Sequence, residues 1–191
     1  MIAPVTYIPR FLTGQEADSF FLNFWSHLPW EQRDGAPRRE CWFNPYGMPY
    51  TYGSGEHART YEGRSFEVTA YARALAGIMR YLNAETDASY DCCFVNGYEH
   101  GRQHLGWHAD DSPEMDMDHP IATVSLGAPR EIWFRRKGDS SGSRVDKLLL
   151  GNGSAAIMAA GMQRDWQHRI PKSDKADCGP RISLTCRKLV R

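Results

Sequence analysis

The chain after Tyr90 consists of short apolar runs separated by turn-forming stretches, and this pattern restricts the fold more than any other feature. Between the runs lie stretches such as SPEMDMDHP, GDSSGS and KSDKADCGP, which are rich in Gly, Pro, Ser and Asp. Short runs between such residues are typical of β-strands. The pattern predicts eight strands, over residues 92–98, 106–110, 121–126, 131–136, 147–150, 154–159, 165–170 and 181–189.

The chain before Tyr90 contains two helical patterns with a loop-rich region between them. A capping box at Thr13 and Glu16 begins an apolar stripe of helical period that ends at Pro29, and a second stripe predicts a helix over residues 65–83. Residues 30–64 predict loops and short hairpin pieces. Together the elements predict a mainly β (α+β) fold, a double-stranded β-helix (jelly roll) with two N-terminal helices packed on an outer sheet.

Length and composition narrow the class of protein. A chain of 191 residues falls short of the roughly 250 to 300 residues at which cores usually split, so we expect one domain. The formal net charge is zero, from 23 basic and 23 acidic residues, which argues against nucleic-acid binding by bulk charge alone but allows a local basic patch. Five Cys without CxxC spacing and the absence of a long apolar run indicate a cytoplasmic protein that does not enter a membrane. We expect a monomer.

The stretch NGYEHGRQHLGWHADD, residues 96–111, holds the densest group of potentially reactive side chains. On a strand, residues two apart point to the same face, so His108 and Asp110 would share a face, as would Asn96 and Tyr98. An imidazole beside a carboxylate is two thirds of the facial triad with which non-haem oxygenases bind Fe(II). The chain must then supply a second histidine.

His168, in WQHRIP of the penultimate predicted strand, is the preferred third ligand. A jelly roll can bring that strand beside the strand that carries His108. An alternative uses His100, His104 and His108, whose spacing on a helix would line one face as a zinc site. The glycines within that stretch disfavour such a helix. HxD with a distant His is a weak signal by itself, because this spacing often occurs by chance.

The last predicted strand, RISLTCR, strengthens the case for a site. Arg181, Ser183, Thr185 and Arg187 fall on one face of it by the alternation rule. Two arginines on the core-facing side of a strand need anionic partners. A dicarboxylate co-substrate would supply them, because Arg binds carboxylates through paired hydrogen bonds.

Several ordered motifs together resemble the AlkB family of Fe(II)- and 2-oxoglutarate-dependent dioxygenases. They are N-x-Y, HxDD, PIATVSLGA, MxxGMQRDWQHRIPK and RISLTCR, and PYTYG at residues 49–53 is similar to the nucleotide-recognition region of that family. The members that repair alkylated nucleic acids are the most similar, notably in DWQHRIPK and IATVSLGA. The resemblance implies one dioxygenase domain, with helices and a nucleotide-recognition lid in residues 1–90 and the jelly-roll catalytic core in residues 91–191.

The resemblance also implies roles for individual residues. The iron ligands would be His108, Asp110 and His168. Arg181 would pair with the distal carboxylate of 2-oxoglutarate, and Arg187 would approach the carboxylate at the metal. The remaining co-substrate contacts would be Asn96, Tyr98 and Ser183. Ser183 and Cys186 depart from the family, which usually has Asn and Phe at these positions, so the contact from Ser183 would come from a shorter side chain.

Substrate contacts follow from the same resemblance. Asp111 matches a position that lies beside the target base in the repair enzymes. A base that reaches a buried metal must leave its stack and lie between aromatic faces. The candidate aromatic residues are Trp42, Phe43, Tyr46, Tyr50 and Tyr52, of which PYTYG favours the last two; the alternative for the others is that they only cover a sheet edge. Arg135 and Arg136, followed by Lys137, would contact phosphates, or would form an ordinary solvated strand end.

The implied reaction is oxidative demethylation of N-alkylated bases in DNA or RNA, such as 1-methyladenine and 3-methylcytosine. It would use Fe(II), 2-oxoglutarate and O2 and would release succinate, CO2 and formaldehyde. A second hypothesis keeps the cofactors and changes the substrate to tRNA, a protein side chain or a small metabolite. A third is a jelly-roll binding module without catalysis, which the complete set of His, Asp and Arg residues disfavours.

Overall fold

The computed structural model describes residues 2–32, 36–52, 58–66, 69–139, 145–174 and 178–190. The helices are α1 (Gly14–His27), α2 (Ala70–Thr86) and α3 (Met162–Asp165). The strands of the first half are β1 (Val5–Ile8), β2 (Arg39–Phe43), β3 (Tyr50–Tyr52), β4 (Arg59–Tyr61) and β5 (Gly63–Arg64). Those of the second half are β6 (Cys92–Tyr98), β7 (Leu105–His108), β8 (Ile121–Gly127), β9 (Arg130–Arg136), β10 (Asp146–Leu150), β11 (Ser154–Met158), β12 (Trp166–Ile170) and β13 (Arg181–Arg187).

Two sheets face each other, as the jelly-roll prediction requires. The larger sheet has the strand order β1-β11-β8-β13-β6-β2-β5 and the smaller one the order β10-β9-β12-β7, while β3 and β4 form a separate hairpin. Tyr98 and Met158 of the larger sheet pack with Phe134 and Trp166 of the smaller sheet in one buried cluster. Burial of the inner faces of both sheets therefore holds the sandwich together.

The two long helices cover the outer face of the larger sheet, which confirms their predicted placement. Phe24 of α1 and Leu75 of α2 belong to the same buried cluster as Val124 of β8 and Leu184 of β13. The predicted capping box begins α1, because Thr13 and Glu16 exchange hydrogen bonds between side chain and backbone. None of the helices in the described ranges is long and apolar enough to span a bilayer.

Several boundaries differ from the sequence prediction. The larger sheet takes β1, β2 and β5 from the first half of the chain. Contrary to the expectation from the sequence, the jelly-roll core is therefore not confined to residues 91–191. β1 pairs with β11 at the sheet edge, and its four residues carry too short a pattern to be predicted. The second helix starts at Ala70, and residues 67–68 of its predicted span lie outside the described residues. β7 ends at His108, so Asp110 lies beyond the strand that was expected to carry it.

Candidate metal and co-substrate site

Two histidines and one aspartate come together between the sheets. β12 pairs with β7 so that His168 lies directly opposite His108, with ring centroids 4.2 Å apart. Nε2 of His108 lies 3.7 Å from Oδ1 of Asp110, and Nε2 of His168 lies 3.9 Å from Oδ2. One ligand atom from each residue lies within 4.8 Å of the other two. This is the ligand set of a facial triad, as the sequence predicted.

Burial keeps both imidazoles neutral. It lowers the pKa of His168 to about 3, with His108 acting in the same direction. It also lowers the pKa of His108, against the opposing effect of Asp110. Burial by itself would raise the pKa of Asp110, but Arg187 and the two histidines outweigh burial and hold that pKa below its usual value. At neutral pH the site presents two neutral imidazoles and a carboxylate, which are the protonation states that metal binding requires.

Neighbouring groups orient the three candidate ligands. Nδ1 of His108 lies 2.9 Å from the carbonyl oxygen of Gly106, so the proton belongs on Nδ1 and the Nε2 lone pair faces the aspartate. Arg187 donates from Nη2 to Oδ1 of Asp110 at 2.6 Å, and the backbone N–H of Asp110 donates to Gln163 of α3 at 3.0 Å. Oδ2 of Asp110 is buried and has no hydrogen-bond partner among the described residues. A cation held by these ligands would satisfy that oxygen.

Arg181 is a fully buried arginine without an acidic partner in the described part of the chain. It donates from Nε to Ser125 at 2.9 Å and from Nη2 to Ser183 at 3.3 Å, while Nη1 finds no acceptor among the described side chains and backbone. Burial lowers its pKa to about 10, so it remains charged at neutral pH. A buried charge without a counter-ion is unfavourable. The carboxylate of a 2-oxo acid therefore fits this position.

One cavity connects the candidate metal ligands with most of the predicted co-substrate contacts. Asn96, Tyr98, Ser183 and Arg187 all line it, together with His108, Asp110 and His168. Tyr98 also lies beneath the Arg181 guanidinium, whose Cζ is 5.4 Å from the ring centroid. The alternation rule on β6 and β13 therefore selected the correct faces. His100 and His104 are not among the residues that line this cavity, so the alternative zinc site gains no support.

A buried charged network beside this cavity was missed in the sequence. The Tyr61 hydroxyl donates to the Glu40 carboxylate, which is ion-paired with Arg38. Arg38 lines the cavity and donates from Nε to Oδ1 of Asn96 at 2.6 Å. Arg38, Glu40 and Trp42 share one face of the segment, but the composition of residues 30–64 predicts loops and short hairpin pieces, which do not define such a face. Recognition of RRECWF as a strand would have found the network.

The aromatic candidates occupy different positions. Tyr50 lines the cavity, and its hydroxyl lies 2.8 Å from Oγ of Ser112. Trp42 is buried and supports Tyr50, with ring centroids 4.9 Å apart. Tyr46 is 57% exposed and is not among the cavity-lining residues. The side chain of Tyr52 and residues 53–57 lie outside the described residues.

The prediction for Phe43 was wrong. Its side chain is 0% exposed and lies in the cluster that joins the larger sheet to the helices, where it packs on Phe66 at a ring-centroid distance of 6.0 Å. Neighbouring residues of a strand point to opposite faces, so Trp42 and Phe43 cannot both face the cavity. Phe43 therefore cannot stack on a base there.

The predicted polar substrate contacts lie outside the cavity lining. Asp111 has a side chain that is 48% exposed and forms an ion pair with Lys137 at 2.8 Å. Arg136 pairs with Asp165 at 3.1 Å. Arg135 donates to Gln167 at 3.0 Å. Arg135 and Arg136 are the last two residues of β9, which agrees with the predicted strand end. Their contact with phosphate stays a prediction.

In this jelly roll two histidines and one carboxylate line one cavity, and beside it lies a buried arginine without an acidic partner among the described residues. These are the parts of a non-haem iron site that takes a 2-oxo acid. The chain belongs to the 2OG-Fe(II) oxygenase superfamily, whose sequence profile matches residues 4–187. The described residues fit the metal and the co-substrate that give this superfamily its name.

Individual relatives confirm the resemblance to AlkB proteins. Alpha-ketoglutarate-dependent dioxygenase alkB homolog 3 of Bos taurus is 31% identical over 97% of this chain and 66% of that protein. DNA oxidative demethylase ALKBH2 of Homo sapiens is 32% identical over 81% of this chain and 58% of that protein. The chain thus spans less than two thirds of the length of either relative. The solved structure of OsALKBH1 is 18% identical and superposes with a TM-score of 0.62 over 98% of this chain and 99% of that chain, which shows a shared fold.

Proposed function

We propose that this protein is an Fe(II)- and 2-oxoglutarate-dependent dioxygenase that removes methyl groups from N-alkylated bases in nucleic acid. The observation that carries the proposal is one cavity in which His108, Asp110 and His168 converge, with Arg181 buried beside it and no counter-ion for it within the described ranges. The substrate class rests on the relatives, one of which bears the name DNA oxidative demethylase.

The metal would be held by His108, Asp110 and His168, which leave coordination positions open for co-substrates. Bound Fe(II), 2-oxoglutarate and O2 supply the oxidation that hydroxylates an N-methyl group, with succinate, CO2, formaldehyde and the unmethylated base as products. Arg187 holds Asp110 in place through Oδ1, so that Oδ2 stays directed towards His168. The protein therefore contributes a pre-oriented ligand set.

Arg181 would bind the distal carboxylate of 2-oxoglutarate through its unpaired Nη1. Ser183 accepts a hydrogen bond from Nη2 of this arginine. The Ser183 side chain, which is shorter than the Asn usual in the family, therefore orients the guanidinium. Asn96 would use its amide group for the co-substrate, since Arg38 already occupies its Oδ1. Tyr98 would complete the wall beneath the arginine. These contacts fix the orientation of the 2-oxo acid before a substrate binds.

The base would enter the cavity beside Tyr50, because this is the predicted aromatic residue that lines it. A stacked base must first leave its neighbours, or come from a single strand. We propose that Asp111, Tyr46, Arg135 and Arg136 contact the nucleotides outside the cavity. Tyr52, whose side chain lies outside the described residues, stays a proposed aromatic contact of the base. We also propose a monomer in the cytoplasm, and its five free cysteines support a reducing compartment.

A panel of methylated oligonucleotides tests the proposal. The full chain is incubated in air with Fe(II), ascorbate and 2-oxoglutarate, and with single-stranded DNA or RNA that carries 1-methyladenine or 3-methylcytosine. We expect equal amounts of formaldehyde and succinate, and neither when Fe(II) or 2-oxoglutarate is omitted. His168→Ala should abolish both products, whereas His100→Ala, at an exposed histidine, should not.

Two outcomes would contradict the proposal. Full turnover by the His168→Ala variant would refute the metal assignment. Succinate formation without formaldehyde from every oligonucleotide would refute the substrate class and would favour a hydroxylase of another substrate.

A further inference from the structure

The outer face of the smaller sheet carries cations and tryptophans in one row. Neighbouring residues alternate between faces, and His108, Phe134 and His168 point inwards, towards the cavity or the buried cluster. Trp133 and Arg169 therefore point outwards. The pairing of β7 with β12 shifts register between Leu105 and His108, and Trp107 lies on the same outer face because its ring is next to the Arg169 guanidinium. The packed helices α1 and α2 belong to the cluster on the larger sheet, so they do not cover this face.

Cations and rings alternate across the four strands. Nζ of Lys147 lies 4.2 Å from the Trp133 ring centroid. The Arg169 guanidinium carbon lies 4.2 Å from the same centroid and 4.8 Å from that of Trp107, and Arg135 lies 4.3 Å from Trp107. These five residues, the cation–tryptophan row, extend from β10 to β7, across three strand spacings or roughly 14 Å. The row is thus a continuous surface feature.

The cations of the row lack acidic partners among the described residues, unlike three other cations of this part of the chain. Arg136, Lys137 and Arg164 each form an ion pair with an aspartate. By contrast, Lys147, Arg135 and Arg169 form no ion pair with any carboxylate in the described part of the chain.

The hydrogen bonds of the row leave its positive charge in place. Arg135 donates to the neutral Gln167, and Nε of Arg169 is without a hydrogen-bond partner among the described residues. Glu131 lies on the same face and accepts from Trp133 Nε1 at 2.7 Å. Three cations against one carboxylate make this face locally basic on a chain of zero net charge.

We infer that the cation–tryptophan row binds the sugar-phosphate backbone of a single-stranded nucleic acid whose methylated base occupies the cavity. This inference rests on the proposed function and adds a second binding surface to it. Cations interleaved with aromatic rings are the general means of binding single strands without sequence preference. The row ends at β7, an edge strand of its sheet that also contributes Leu105 and His108 to the cavity. A strand on the row can therefore pass over this edge to the cavity.

Removal of charge from the row tests the inference. The double variant Lys147→Gln, Arg169→Gln is compared with Arg73→Gln, Arg80→Gln, which removes the same charge from exposed positions of α2. Affinity for an unmethylated, fluorescently labelled single strand of roughly 20 nucleotides is measured by anisotropy at several salt concentrations. We expect the affinity of the row variant to fall about ten-fold at low salt. Its slope of log K against log salt should decrease by roughly 0.7 for each phosphate that the variant no longer neutralises. The α2 variant should match the parent.

Demethylation of short and long substrates distinguishes the contribution of the cation–tryptophan row from that of the catalytic site. The row variant should demethylate a methylated trinucleotide as well as the parent does, and should show a raised KM with unchanged kcat on the long strand. An unchanged salt slope and KM, with demethylation intact, would overturn the inference and leave the row as a cover for the sheet. A larger loss of affinity for duplex than for single strands would overturn the single-strand assignment. If no strand were demethylated, the proposed function would fail, and unchanged binding would then overturn the inference as well.

Discussion

The two walls of the cavity are built differently. The metal and co-substrate wall consists of β6, β7, β12 and β13, whose antiparallel pairing places His168 opposite His108 and Ser183 opposite Asn96. The substrate wall, which we propose faces the nucleotide, consists of β2 and the β3–β4 hairpin, where strands are three to five residues long. The co-substrate contacts are held by the seven-residue strands β6 and β13, and the two histidines by the directly paired strands β7 and β12. Recognition is assigned to β2 and to a hairpin that forms a separate two-stranded sheet.

The largest effect is expected at Asp110, where both metal binding and a buried ion pair depend on one side chain. Asp110→Ala should abolish demethylation and lower the free energy of unfolding by about 3–5 kcal/mol, because Arg187 would be left buried without its partner. Asp110→Asn should also abolish activity but should lose less stability, since the amide oxygen can still accept from Arg187. Urea unfolding and formaldehyde release measure the two effects. Equal stability losses in both variants would contradict the assigned role of the ion pair.

The next largest effects distinguish Phe43, which faces the hydrophobic core, from Tyr50, which lines the cavity. Phe43→Ala should lower the free energy of unfolding by about 3–5 kcal/mol, because it empties a packed core position. Its folded fraction should keep the parent KM for a methylated oligonucleotide. Tyr50→Ala should raise that KM, because Tyr50 lines the cavity. A raised KM in the Phe43 variant alone would show that the assignment of faces on β2 is incorrect.

A smaller effect is expected from the two arginines on the shared face of β13. Arg181→Met should raise the KM for 2-oxoglutarate roughly ten-fold or more, because the charged group that binds a carboxylate is removed. In the absence of co-substrate, Arg181→Met should not lower the free energy of unfolding, because the substitution removes a buried cation that has no counter-ion among the described residues. Arg187→Met should destabilise the metal-free protein, because Asp110 loses its partner. Thermal unfolding with and without 2-oxoglutarate measures the difference, and equal destabilisation by both changes would refute it.

The smallest effect is expected in the network that joins the hairpin to the co-substrate wall. Glu40→Gln keeps the size of the side chain but removes the negative charge that pairs with Arg38. We expect a few-fold rise in the KM for 2-oxoglutarate, because Arg38 also holds Asn96. Tyr61→Phe, which removes one hydroxyl that donates to Glu40, should change this KM less. A larger effect of Tyr61→Phe than of Glu40→Gln would show that the ion pair does not position Asn96.

The failures of sequence interpretation are concentrated in the substrate wall. Strands β6 and β13 were predicted closely, because each is a seven-residue run between clear turn signals. The same alternation rule places Trp42 and Phe43 on opposite faces of β2. The many Gly and Pro residues of 30–64 predict loops and short hairpin pieces instead; the β3–β4 hairpin is there, but β2 is a strand of the larger sheet. Short strands such as β2 carry too few residues to establish a period, so their faces follow from their partners in the sheet.

The sequence by itself determined which residues share a face, where α1 begins, and that a histidine, an aspartate and two arginines would need partners. These features depend on near neighbours along the chain, through backbone alternation and local hydrogen bonds. Only the tertiary structure decided that β12 lies against β7 and that Asp110 pairs with Arg187 rather than Arg181. It also decided that three cations without acidic partners among the described residues lie across two tryptophans on the outer face. Those pairings join residues distant in sequence, and they depend on burial of both sheets at once.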